Sequence, residues 1–218
     1  MTGSGKAQGD TALPEARWPA LIAITGAILI YSLLPAGDQV VPRWILPTVG
    51  VLMLIPLLVL NPHHFTRETV WSKWMSIGLA ALLALANQVE VVVIIGQLVN
   101  GATEATAVLL SALQVWATNV IAYGLIFWEL DRGGPFARRL GGRVTKPDFR
   151  FPQEDSGPTD WTPAFVDYLY SSLSNQMAFS ATDSMPLTTR AKGLMAIQAF
   201  TGFILLALVI SRAVNILA

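Results

Sequence analysis

Five apolar runs, at residues 18–34, 44–60, 74–98, 105–128 and about 191–217, set the terms on which this chain can fold. A hydrocarbon layer about 30 Å thick is crossed by about 20 mainly apolar helical residues. Inside it every backbone N–H and C=O must be bonded within its own segment, which makes helices the expected form. The composition agrees: 53% of the 218 residues are hydrophobic and 13% charged, with a mean hydropathy of +0.54. A soluble domain carries about a quarter charged residues. The expected fold class is therefore an all-α polytopic membrane protein with about five transmembrane helices.

Trp18, Trp44, Trp74 and Trp128 stand at the ends of these runs, where indole rings anchor at the headgroup level. Pro47 and Pro56 inside the second run predict kinks, since neighbouring helices can satisfy the backbone groups proline frees. The turn Leu34-Pro35-Ala36-Gly37 predicts that the first two runs form a hairpin, and the first run reads as an uncleaved anchor. Residues 1–17 are small and polar and read as a disordered lead-in. Residues 18–104 then hold three spans.

Residues 129–163 form the one long polar stretch, with Arg132, Arg138, Arg139, Arg143, Lys146 and Arg150 toward its front. Its Gly and Pro content predicts an ordered or semi-ordered loop without a core of its own. Five spans put the N-terminus, Arg67, Lys73 and this loop on one side of the membrane. Arg190 and Lys192 join them if the segment before them does not cross. The other side receives Arg43 and Arg212. The bias of basic residues toward the cytoplasm places the long loop there and the C-terminus outside. A bacterial inner (plasma) membrane is the expected location, with the lipid bilayer as the first partner.

Polar residues within the runs mark where helices meet or where something passes. Glu90 lies inside the third run, where an ionised carboxylate costs a few kcal/mol. Asn87, Glu90, Ile94 and Gln97 recur at three- and four-residue spacing, placing three polar groups on one helical face, and the fourth run offers Gln114, Thr118 and Asn119. Two uses are open: hydrogen bonding between the two helices, or a proton or cation site at Glu90. The first is the blander and commoner. A proton-coupled transporter using Glu90 is the corresponding functional option.

Several chemistries are excluded or unsupported. The absence of cysteine rules out disulfides, thiolate metal sites and cysteine nucleophiles. His63 and His64 are adjacent in a loop, without an acidic or histidine partner at ligand spacing. No Ser-His-Asp set, paired-carboxylate motif or nucleotide fingerprint is present. Neither an enzyme, a metal, a cofactor nor a nucleic-acid partner is expected.

The last third, Trp161 to Ala218, has a distinct layout. Thr162 as N-cap and Pro163 as first helical residue predict a helix start, giving a short helix over 163–177. Asp167, Ser171 and Asn175 line one of its faces at four-residue spacing. It is too short and too polar to span, so it lies on the surface or dips in as a re-entrant segment. A polar turn over 178–187 follows, with Phe179, Ser180, Ala181, Thr182 and Asp183 ahead of Pro186. Thr188 and Thr189 then lead into the final helix, which carries Gln198, Gly202 and Asn215. Gly202 reads either as a bend point or as a close-packing position.

The stretch Asp167-Tyr168-Leu169-Tyr170-Ser171-Ser172, the turn from Phe179 to Pro186 and the final helix together resemble the pore module of potassium and voltage-gated-like channels. There an aromatic-rich pore helix leads to a Thr-Val-Gly-Tyr-Gly-Asp filter, a proline and the inner helix. Asp183 and Pro186 match the filter's last residue and the proline. The two glycine positions read Ser180 and Thr182, and Ala181 replaces the tyrosine. The glycines permit the ring of carbonyls that selects potassium, so potassium selectivity is not implied. The second half, including Trp116-Ala117-Thr118-Asn119 and the run from Trp128 to Pro135, is similar to a widespread family of bacterial integral membrane proteins, which implies no particular activity. The channel resemblance implies residues 105–218 as one module, a homo-oligomer (a tetramer), and an ion or small solute as cargo. The alternative is a structural or accessory subunit of a larger membrane complex.

Overall fold

The structure, a computed structural model, describes residues 18–33, 47–48, 51, 70–99, 105–139, 146–155, 161–177 and 184–217. Its long helices are α1 (Trp18–Leu33), α2 (Val70–Val99), α3 (Ala105–Leu130) and the final helix, α6 (Thr189–Leu217). Between α3 and α6 lie a 3-10 turn (Asp131–Gly133), α4 (Pro135–Arg139), β1 (Phe149–Arg150), a second 3-10 turn (Pro152–Asp155), α5 (Phe165–Gln176) and β2 (Met185–Pro186). Three stretches are long and apolar enough to cross a membrane: Lys73–Val99, Thr106–Gly133 and Thr189–Ser211. The first run forms a shorter apolar helix. The second run, with its expected kinks and hairpin, falls largely outside the described residues, as do His63 and His64. An all-α fold suited to a membrane is thus present.

α2 and α3 pack as an antiparallel pair, with Val91, Ile94, Val108, Ala112 and Val115 closing one end of their seam together with Leu205 of α6. The other end holds the larger core. There Ile24, Leu79, Ala80 and Ala122 meet an aromatic cluster built on Phe127, Trp128, Phe149 and Phe165. α6 buries a narrow stripe and leaves Ile197, Phe200, Phe203, Leu206 and Ile210 exposed. Lipid tolerates such a face where water would not.

Basic side chains gather at the end of the bundle where α3 finishes. Lys73 donates to the Gly133 carbonyl, and Arg190 donates to the Leu130 carbonyl at 3.2 Å. The starts of α2 and α6 therefore stand beside the end of α3. This is the side assignment expected if the segment before Arg190 does not cross.

The described part of the long polar stretch enters the main core. Phe149 stacks on Phe127 with ring centroids 5.0 Å apart, and Phe151 meets Tyr168 at 5.3 Å and Trp161 at 5.7 Å. The chain turns into this stretch through Arg132, Gly133 and Gly134, all at positive φ (54°, 84° and 101°). Two of the three are glycine, for which that region costs little. Pro135 then opens α4 from the first helical position, where its missing N–H is no loss.

Candidate functional site

The course of α5 along α3 defines the candidate site. Trp128 meets Phe165 at 5.7 Å, and the Tyr168 hydroxyl donates to Asp131 Oδ2 at 2.5 Å. Leu169 lies against Gly124, and the Ser172 hydroxyl donates to the Val120 carbonyl at 2.8 Å. Asn119 Nδ2 donates to Gln176 Oε1 at 2.9 Å. Taken in order, these contacts run α5 antiparallel to α3, from its end to its middle. Beyond Met177 the chain is next described at Ser184, and there it is back at the starting end. Arg150 pairs with Met185 and Phe149 with Pro186, while Leu187 N–H donates to the Asp148 carbonyl at 2.8 Å. The chain thus leaves and regains the same end of α3 before α6 begins.

α5 starts two residues later than Thr162-Pro163 suggest, at Phe165 with Ala164 as N-cap. Asp167 Oδ2 accepts the Ala164 N–H at 2.7 Å, and this back-reaching carboxylate sets the first turn. Asp167 is thus occupied in capping. Ser171 donates to the Asp167 carbonyl at 2.8 Å, and Asn175 Nδ2 donates to the Met195 carbonyl and Gln198 Oε1, both at 2.9 Å. Gln198 Nε2 in turn donates to the Ser172 carbonyl and hydroxyl at 2.9 and 2.6 Å. Asp167, Ser171, Ser172 and Asn175 of α5 are thus bonded to α3, to α6 or to the helix's own first turn, while the Gln176 Nε2 is buried without an acceptor among the described residues.

Two glycines permit this depth of packing. A Cβ at Gly124 would lie 3.2 Å from the Leu169 Cα. One at Gly202 would press into the Gln176 carbonyl oxygen, with Gln176 Cδ at 3.1 Å. α6 runs unbroken from Thr189 to Leu217 through Gly202. Of its two sequence readings, close packing is the one the contacts describe.

At the entry end, a buried carboxylate ties the polar stretch down. Asp131 is fully buried, and its Oδ1 accepts the N–H groups of Asp148 and Phe149 at 2.7 and 3.2 Å. Asp148 accepts the Thr188 hydroxyl at 2.5 Å and Arg190 Nε at 2.7 Å, fastening the start of α6. Arg138 donates to the carbonyls of Trp128 and Asp131 at 2.6 and 2.9 Å and lies over the Tyr168 ring. A cation there also complements the negative end of α3. Burial pushes the Tyr168 phenol well above its ordinary range, with Arg138 working against the shift, so the phenol remains a donor to Asp131. Arg132 pairs with Glu154. No sequence motif marks this cluster as a unit; the run from Trp128 to Pro135 is its one local trace.

Midway along the bundle lies a belt of amides and hydroxyls. Thr118 donates to Asn87 Oδ1 at 3.1 Å, and Tyr31 of α1 donates to the same oxygen. Thr201 of α6 donates to Gln88 Oε1 at 2.9 Å. Of the residues singled out by spacing, Asn87 thus meets Thr118 across the α2–α3 seam, whereas Asn119 turns to α5. Gln114 and Glu90 are buried at the same seam, and Gln97 is half-buried toward the far end. Tyr31, Gln176 and Gln198 join the belt from other segments, and no spacing pattern groups them with it. Phe179, Ser180, Ala181, Thr182 and Asp183 lie outside the described residues. No group of three or more His, Asp or Glu side chains able to hold a metal occurs among the described residues. Comparison with models of protein families, with curated proteins and with solved structures gives no match.

Proposed function

We propose that the chain is an integral membrane protein whose C-terminal half works as a pore-loop module. α3 is its outer helix, α5 a re-entrant helix, residues 178–183 a filter-like segment and α6 the inner helix. The observation behind this reading is that α5 descends only to the level of Asn119, while Ser184 onward stands again beside β1. Its 12 residues extend about 18 Å, against about 30 Å for the hydrocarbon layer. Its negative end then points at the membrane centre, where a cation leaving water is least stable. Ser180, Thr182 and Asp183 follow directly. Repeated around an axis in four copies, they would form a polar constriction wider than a potassium filter, fit for cations or a small solute.

Reconstitution tests this. Purified protein in liposomes should pass monovalent cations above the rate of empty liposomes, and Asp183→Asn should lower the rate several-fold or change the cation preference. Leak-level flux from both proteins would sink the reading. A second function, as a structural or accessory subunit, draws support from Asp167, Ser171, Ser172 and Asn175 of α5 being bonded inside the chain. It predicts no autonomous flux and co-purification with a larger membrane complex. Basic residues gathered at the entry end argue that α5 enters from the cytoplasm, whereas potassium channels insert their pore helix from outside. Protease access to residues 140–160 in oriented vesicles separates the two orientations.

A further inference from the structure

We propose that Glu90 is a proton-binding site inside the bundle, with the Asn87 side-chain amide as the donor that receives its carboxylate when the proton leaves. This does not depend on the pore-loop reading. Glu90 lies on α2 nine residues before Val99, about 14 Å along the axis from that end. The residue is 8% exposed, and no described residue donates a hydrogen bond to it or forms an ion pair with it. A charged carboxylate so placed is costly, and a neutral acid is the form that avoids the cost.

Asn87 makes the charged form reachable. It is fully buried one turn earlier on the same face, at a spacing that brings Cβ atoms about 5–6 Å apart. Its Oδ1 accepts from Tyr31 and lies 3.1 Å from the Thr118 hydroxyl, which is shared with the Gln114 carbonyl at 2.8 Å, so Nδ2 is left as the remaining donor. That Nδ2 has no acceptor among the described residues. A buried N–H left in this state is costly in itself, and a rotation of Glu90 would relieve it. When the acid O–H bond breaks and the proton passes to water, the carboxylate gains the Asn87 N–H. Each protonation state therefore has a stable arrangement.

The groups around Glu90 leave it the proton carrier. α1 contributes Tyr31, whose hydroxyl is held on Asn87. α3 contributes Thr118 and Gln114, the latter level with Glu90 in the antiparallel register set by the Thr118–Asn87 bond. α6 contributes Thr201, bonded to Gln88. Lys73 and Arg190 sit at the entry end, by Gly133 and Asp148, and Lys73 is about 25 Å from Glu90 along α2.

Infrared titration of the full chain in liposomes reads this directly. Wild type should show a protonated-carboxyl stretch that fades as pH rises and that Glu90→Gln removes. The glutamine amide copies the shape of the neutral acid, so that variant should fold. Asn87→Ala should move the midpoint upward by about one unit or more, because the anion loses its donor and the acid loses nothing. Spectra of wild type and Glu90→Gln that coincide at every pH would overturn the proposal. So would a midpoint that Asn87→Ala leaves in place. If Asn87→Ala does not fold, the Glu90→Gln comparison still decides.

Discussion

Gly202→Ala should unseat α5 from α6 and destabilise the protein by about 3 kcal/mol, the upper part of the range for overpacking. The added methyl would sit well under 3.0 Å from the Gln176 carbonyl oxygen and 3.2 Å from its carbonyl carbon. Both are backbone atoms, so no flexible side-chain tip can swing away. The helices must part instead, which weakens the bonds from Asn175 to Gln198 and from Gln198 to Ser172, each contributing about 1 kcal/mol. Gly26 and Gly96 are the controls, because a Cβ at either meets nothing within 4 Å. Alanine there should be neutral or stabilising by up to about 1 kcal/mol through helix propensity. Thermal unfolding in detergent is the measurement. If Gly202→Ala is as benign as Gly96→Ala, the close approach of α5 is wrong.

Asp131→Ala is the second large effect, with an expected loss of about 3–5 kcal/mol, the range for stripping one partner from a buried charged network. The carboxylate is fully buried and accepts two backbone N–H groups and the Tyr168 hydroxyl. Alanine would strand all three donors and take a counter-charge from Arg132, 3.5 Å away. Tyr168→Phe removes a single bond to that charged group and should cost about 1.5–3 kcal/mol. In Asp131→Ala the polar stretch from Asp148 to Asp155 would lose its tether. Limited proteolysis should cut within residues 140–160 faster in that variant than in wild type. Equal cleavage rates and equal melting temperatures would show that the tether lies elsewhere.

Much of the fold was legible because membranes impose a length and a polarity on helices. The runs 74–98 and 105–128 correspond to Val70–Val99 and Ala105–Leu130, longer at the ends where polar residues continue the turns. The short helix was legible too, since twelve half-polar residues cannot cross. Its starting residue was not, because Asp167 caps from inside the helix and outweighs the Thr-Pro signal. Spacing put Asn87 and Asn119 on stripes without naming their partners, and Asn119 chose Gln176, 57 positions later, over α2. The Asp131 cluster gathers residues from four separated segments, around 131, 148, 168 and 188, and no local pattern signals that.

Residue order alone is enough to make this chain helical, suited to a membrane and polar at a few depths. Those properties follow from hydrophobicity summed along a segment, which is local. Contacts between segments are what send α5 half-way down α3 and bring the chain back, make Gly202 a contact and not a bend, and leave the buried Asn87 N–H without an acceptor among the described residues. Those are facts about which surfaces meet, and they rest on contacts across dozens of residues that no single segment encodes.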